Sequence, residues 1–326
     1  FFAPFLLTAE VQVGAYVLHG APVVFTAEMA QETGFSGFAG YAFLGAPFVG
    51  LALAATGALL VFGSVAMRRR FGRAKAGPRE PYRLPDNAPE WWHAAERVAW
   101  RYAPSYETEP AQRARFHYVR VKLMGDPISK LVAGIAGDGA GTLGTVFDIG
   151  TGRGQLPILL LELGRATKAG GMDWDESKIA EANRAAGQRG RGQALPAEFD
   201  VADATDATIE PADTVLLIDV LHYLTIAEQD GLLARAAAGV RPGGRLVVRE
   251  ADTERGWRSW MTLAEELFFT AVRFNRGARV RFRPAREIVD VLEGAGLSCT
   301  IRPAWGKTPF SNVLIVGTRP PDGDLP

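Results

Sequence analysis

The chain has 326 residues, with 36 Lys and Arg balanced by 36 Asp and Glu, and 48% hydrophobic residues. That length admits one large domain plus an extension, and the balanced charge supplies no global field for a nucleic acid, although a neutral total can hide local basic patches. The single cysteine, Cys299, and the four dispersed histidines, His19, His93, His117 and His222, have no spacing suited to a zinc site or a disulfide framework. A reducing compartment and no structural metal are expected.

Residues 1–32 are apolar but interrupted by Glu10, His19, Glu28 and Glu32. They are compatible with a poorer second span, an interfacial helix or an extracytoplasmic segment, and their lack of Lys and Arg fits the outer side. From Thr33 to Met67 there is no charged residue and no His, whereas about 20 such residues suffice to cross a bilayer. Pro47 suits the first turn of a helix at 46–67, and "RRRFGR" at 68–73 marks its cytoplasmic flank. A membrane region at 1–67 is therefore expected, with everything after it on the cytoplasmic side of the inner membrane. Ala46, Gly50, Ala54 and Ala58 recur every fourth residue, a small-residue stripe that would admit a transmembrane helix partner.

Residues 68–89 form a basic, then Pro-rich linker. A helical extension at 90–141 follows, in which Trp91, Ala95, Val98 and Tyr102 share one face. Its Trp residues suit either the membrane interface or a cap on the following domain. From about Thr142 to 320 strand and helix alternate, which predicts a parallel sheet covered on both faces. Seven strands are expected, at 144–148, 169–173, 197–201, 213–219, 244–250, 297–303 and 312–318. The last two are joined by "PAWGKTPFS", too short for a crossover helix, so that pair should be antiparallel.

"VFDIGTGRGQLP" (146–157) places Asp148 at a strand end, then Gly150, Gly152 and Gly154 before a helix. Such a loop offers backbone N–H groups where side chains would block a ligand. The second strand ends at Asp173, where a carboxylate can accept both hydroxyls of a ribose, and Asp203 and Ala204 follow the third, placed to meet an adenine. Three neighbouring strand tips thus describe a nucleoside. A dinucleotide is disfavoured, because the glycines do not fall as G-x-G-x-x-G and the only Tyr-x-x-x-Lys pair, Tyr118 and Lys122, precedes the loop.

These residues resemble the class I methyltransferases that use S-adenosyl-L-methionine. "FDIGTGRG" is similar to that family's first motif apart from Thr151, "LLIDVLHYL" (216–224) to the end of its fourth strand, and "VRPGGRLVVRE" (240–250) to the turn before its fifth. The resemblance spans about 110–318 and implies an α/β, Rossmann-like seven-stranded sheet with an antiparallel last strand, here preceded by a transmembrane helix region. It implies that Gly150, Gly152 and Gly154 hold the methionine part of the cofactor, with Asp148 orienting the loop and the amino group. Asp173 would then bind the ribose, Trp174 would lie beside the adenine, and Asp203 would meet the adenine amino group. "KLMGDP", "DVLHYL" and "GKTPFSNVLIV" are further similar to bacterial methyltransferases of aryl-polyene or fatty-acid-like pigment pathways.

His222, at the fourth strand's tip, is the candidate general base, with a hydrogen-bonded support of the loop as its alternative role. Tyr223 either lines the acceptor pocket or packs. Asp219 can bond the cofactor or His222, or cap the next helix. An aromatic and basic insert at 257–284 carries the alternating Arg279, Arg281 and Arg283, which on an extended segment would point one way, toward a carboxylate, a phosphopantetheine or a lipid headgroup. A membrane-anchored methyltransferase of a hydrophobic or lipid-linked or carrier-linked acceptor is expected, with no nucleic-acid partner. The alternative is a methyltransferase-fold subunit of a membrane complex that has lost turnover.

Overall fold

A computed structural model describes residues 84–135, 141–187, 193–254, 281–306 and 311–322, with a few isolated positions before them. The chain divides into two units, Phe1–Glu80 and Pro81–Pro326. The expected span at 46–67 and the segment 1–32 lie outside the described residues apart from those isolated positions. Among the described residues no helix is long and apolar enough to cross a membrane.

The second unit opens with three helices, α1 (Glu90–Arg101), α2 (Pro110–Gly125) and α3 (Pro127–Ile135). Strands β1 (Thr145–Ile149), β2 (Lys168–Asp173), β3 (Ala197–Val201) and β4 (Ala212–Ile218) follow, with α4 (Gln155–Glu162) and α5 (Glu176–Gly187) between the first three. After β4 come a 3-10 turn (Leu221–Tyr223), α6 (Ile226–Ala238), β5 (Val240–Ala251), α7 (Ala285–Gly294), β6 (Ser298–Pro303) and β7 (Asn312–Thr318). The seven strands lie in the order β3-β2-β1-β4-β5-β7-β6. All neighbouring pairs are parallel except those of β7, which runs antiparallel to both β5 and β6.

The order reverses beside β1, so the tips of β1 and β4 flank the crevice where ligands of open α/β sheets bind. Side chains alternate faces along each strand: Val215 and Leu217 of β4 enter a core with α6 and α7, whereas Leu216 between them enters a core with α3 and α4. In α1 and at its C-terminal cap, Ala95, Val98 and Tyr102 of the expected face are buried and Trp91 is partly so. They pack with Phe116, Val119 and Leu123 of α2 against α4 and α5, so the extension forms part of the domain's own core.

Candidate functional site

The turn after β1 folds as the spacing of its glycines requires. Gly150 (φ 72°) and Gly154 (φ 67°) occupy the left-handed region, where a Cβ would clash with Val220 at the first and with Phe199 at the second. Gly152 donates its N–H to Oδ2 of Asp173 at 2.9 Å, and Asp175 donates its own to Oδ1 at 3.0 Å. The buried carboxylate of Asp173 therefore ties the glycine loop to the tip of the neighbouring strand. On the other side, the buried Tyr102 of α1 donates its hydroxyl to the carbonyl of Arg153 at 2.5 Å, which anchors the loop to the helical extension.

These elements enclose a cavity of about 490 Å³. Asp148, Gly150, Gly152, Asp173, Trp174, Asp203, Ala204, Asp219 and Tyr223 all line it; the structure thus brings together nearly all the residues singled out from the strand tips. Trp174 is 56% exposed at the rim, with the Lys178 ammonium 5.6 Å from its ring centre. The Asp203 carboxyl accepts from the backbone and hydroxyl of Thr205 at 2.9 and 2.8 Å, bonds that hold it below the usual carboxylate range.

Asp219 has φ 56°, unusual for a residue with a side chain. Its carboxylate is occupied by Arg249, whose Nε donates to Oδ1 at 2.8 Å and whose Nη2 contacts Oδ2. The same guanidinium grips Asp126, at the junction of α2 and α3, with bonds of 2.5 and 3.2 Å. Burial opposes the arginine's charge, but the two carboxylates outweigh it and raise its pKa. Asp219 does not cap the next helix: Thr225 does, in a reciprocal capping box with Glu228.

His222 is buried behind this wall and does not itself line the cavity. Its Nδ1 lies 3.0 and 2.9 Å from the two carboxylate oxygens of Glu250, and its ring centre is 4.1 Å from Tyr223 and 5.2 Å from Phe282. Burial pushes the Glu250 carboxyl up, and the histidine pulls it partly back. Of the three alternating arginines, Arg279 lies outside the described residues. Arg281 is exposed and donates its backbone N–H to His222 at 2.8 Å. Arg283 is buried, bonded to Asp230 at 2.5 Å and paired with Glu287 at 3.2 Å. The two thus differ in burial, and Arg283 is occupied by acids of α6 and α7.

Sequence reasoning leaves several polar lining residues unassigned, among them Lys122, Asp126, Ser129, Gln155, Lys178 and Arg249. Gln155 opens α4, is 5% exposed, and its amide nitrogen has no hydrogen-bond partner among the described residues. An unmet buried donor costs about 1–3 kcal/mol, a cost that a ligand acceptor removes. Asp148 is likewise suited to a ligand. Burial pushes its carboxyl up to about 7, Asp173 adds to the rise, and the Thr151 hydroxyl and Lys122 oppose it.

The glycine-lined, acid-bearing cavity lies at the strand tips, where open α/β sheets bind their ligands. Residues 147–246 match the family model described as a methyltransferase domain. No curated protein matches the chain. Among solved structures, an O-methyltransferase family protein from Burkholderia thailandensis is 22% identical over 67% of this chain, which spans 62% of that protein's length (TM-score 0.48). Magnesium protoporphyrin IX methyltransferase from Synechocystis PCC 6803, with bound SAH, is 20% identical over 67% of this chain and 93% of its own (TM-score 0.48).

The Asp148 carboxyl supplies a pH dependence whose sign follows from its raised pKa. A cationic ligand group pairs only with the ionised acid, so protonation below about 7 would compete with the binding of such a ligand. The Kd for S-adenosylmethionine, measured by calorimetry, should fall roughly fivefold from pH 6 to pH 7 and about another twofold by pH 8, then level off, with release of about one proton at the acid end. Asp148→Asn should bind weakly with a flat profile; a wild-type profile that is already flat would sink the idea.

Proposed function

We propose that this protein is a membrane-anchored methyltransferase at the cytoplasmic face of the inner membrane, acting on a hydrophobic or lipid-linked or carrier-linked small molecule. The observation that carries the reading is the cavity itself. Polar groups gather at the β1, β2 and β3 tips, while Ile128, Leu156, Ile218 and Leu224 supply apolar wall, a combination suited to an apolar acceptor placed beside a polar donor. The anchor rests on the uncharged run from Thr33 to Met67 and the basic cluster after it.

The cofactor, when bound, supplies an electrophilic methyl group. The protein's part is to align the acceptor and take its proton. Asp173 suits the ribose hydroxyls, Trp174 and Asp203 the adenine, and Asp148 the ammonium. Lys122, Ser129 and Gln155 converge as donors suited to the methionine carboxylate. His222, its Nδ1 fixed by Glu250 and its ring against the lining Tyr223, supports the cavity wall from behind, the alternative role its position at the strand tip offered. Gln155→Leu should weaken S-adenosylhomocysteine binding about tenfold, the value of one charge-assisted hydrogen bond. It should leave 5′-methylthioadenosine, which lacks the amino-acid part, unaffected; equal loss for both would assign Gln155 to packing.

The test is transfer of radiolabelled methyl by the full chain to polyenoic acids, quinols and a lipid extract, followed by partition into organic solvent. Label in that phase supports the reading. Label confined to water-soluble products refutes the hydrophobic acceptor. Cofactor binding with no S-adenosylhomocysteine formed from any acceptor refutes turnover and favours a subunit role.

A further inference from the structure

Helix α2 is apolar on two sides. Phe116, Val119 and Leu123 are buried in the core. On the opposite side Tyr118 is 54% and Val121 64% exposed, and Ala114 and Gly125 are exposed with them. At about 100° per residue these four positions fall within roughly 60° of one another. They form a narrow apolar stripe facing solvent. Arg115 borders it on one edge, His117 and Arg113 on the other, and the sequence PAQRARFHYVRVKLMG contains no acid. Arg115 is 3.2 Å from Glu181, and Lys122, next along that edge, lines the cavity.

We propose that this outer face of α2 docks on an anionic phospholipid surface. An apolar stripe with basic borders lets Tyr and Val enter the acyl boundary while the cations meet phosphates. A protein partner would need only the apolar stripe; the cationic borders without any acid favour a headgroup layer. The proposal rests on the membrane-anchored reading for its setting: the uncharged run ends at Met67, and the linker at 68–89 spans at most roughly 70 Å when extended. It also adds to that reading, because Lys122, Leu123 and Asp126 line the cofactor cavity.

The experiment uses the full chain with Cys299→Ser and a polarity-sensitive fluorophore on Val121→Cys, in lipid nanodiscs with or without phosphatidylglycerol. A second label on Asp290→Cys, an exposed position of α7, is the reference. Co-elution with the disc reads the anchor; quenching by nitroxide-bearing lipid reads the docking. Quenching at 121 several-fold above that at 290, dependent on phosphatidylglycerol and lost in Tyr118→Asp/Arg113→Glu, is the expected result. Co-elution with equal, weak quenching at both positions overturns the proposal and leaves the anchor standing. A chain that fails to co-elute overturns the anchor; the same label is then read on phosphatidylglycerol vesicles, where quenching supports the docking and its absence refutes it. A shift at 121 that follows protein concentration instead of lipid assigns the face to a second copy, and also overturns it.

Discussion

Asp173→Ala should weaken S-adenosylmethionine binding by about 100-fold or more, the largest cofactor effect expected of any single substitution in the site. The carboxylate is 7% exposed and accepts from Gly152 and Asp175, with the Lys178 ammonium 3.9 Å away. Its removal cuts the tie between the glycine loop and β2 and deletes the acceptor suited to the ribose hydroxyls. Hydrogen bonds to a charged group contribute about 1.5–3 kcal/mol each, so losing two reaches the stated range. Asp173→Asn retains shape and one acceptor, and should lie between. Calorimetry on the full chain measures both, and a thermal melt without cofactor separates binding from unfolding. Alanine-variant affinity within threefold of wild type would remove Asp173 from the cofactor site.

The sheet was legible because its signals are local. Each of the seven expected strands is present, β3 and β7 with the expected ends and the others shifted by up to a few residues, most at β5, which begins at Val240 rather than 244. There the register with β4 shifts between Ala212 and Thr214, an irregularity that no side-chain pattern announces. The glycine loop and the acids at 148, 173 and 203 were legible for the same reason, since a strand end followed by a tight turn is written in consecutive residues. Asp126 and Arg249 were not, being 123 positions apart and meeting only because α2 and α3 fold over the tips of β4 and β5. Gln155 looked like one more helix residue until its burial and unmet amide nitrogen were known. Glu250 was hidden likewise, as a charged residue at the end of an apolar strand whose partner lies 28 residues earlier. Periodicity failed for Arg283, although the Glu four residues on is a usable sign of a helix start that would hold it.

Arg249→Met should destabilise the domain by about 3 kcal/mol, because removing one member of a buried ionic group strands the others. The arginine side chain is 8% exposed, and it satisfies Asp126 at 25% and Asp219 at 38% exposure. Partial exposure lets water recover some of the loss, which places the effect at the low end of the usual range. For a unit of this size the melting temperature should drop by roughly 6–10 °C, read by calorimetry on the full chain without cofactor. The loss should arise from stranded charge and not from missing volume, since Met nearly fills the space of Arg. Adding Asp126→Asn and Asp219→Asn to Arg249→Met should therefore recover at least half of it. The recovered protein should still bind cofactor more weakly than wild type, for Asp219 sits in the left-handed region at the cavity wall only while Arg249 holds both of its oxygens. A melting temperature unchanged by Arg249→Met would mean that the triad is solvated and that packing of Phe116, Val119 and Leu123 alone seats the helical extension on the sheet.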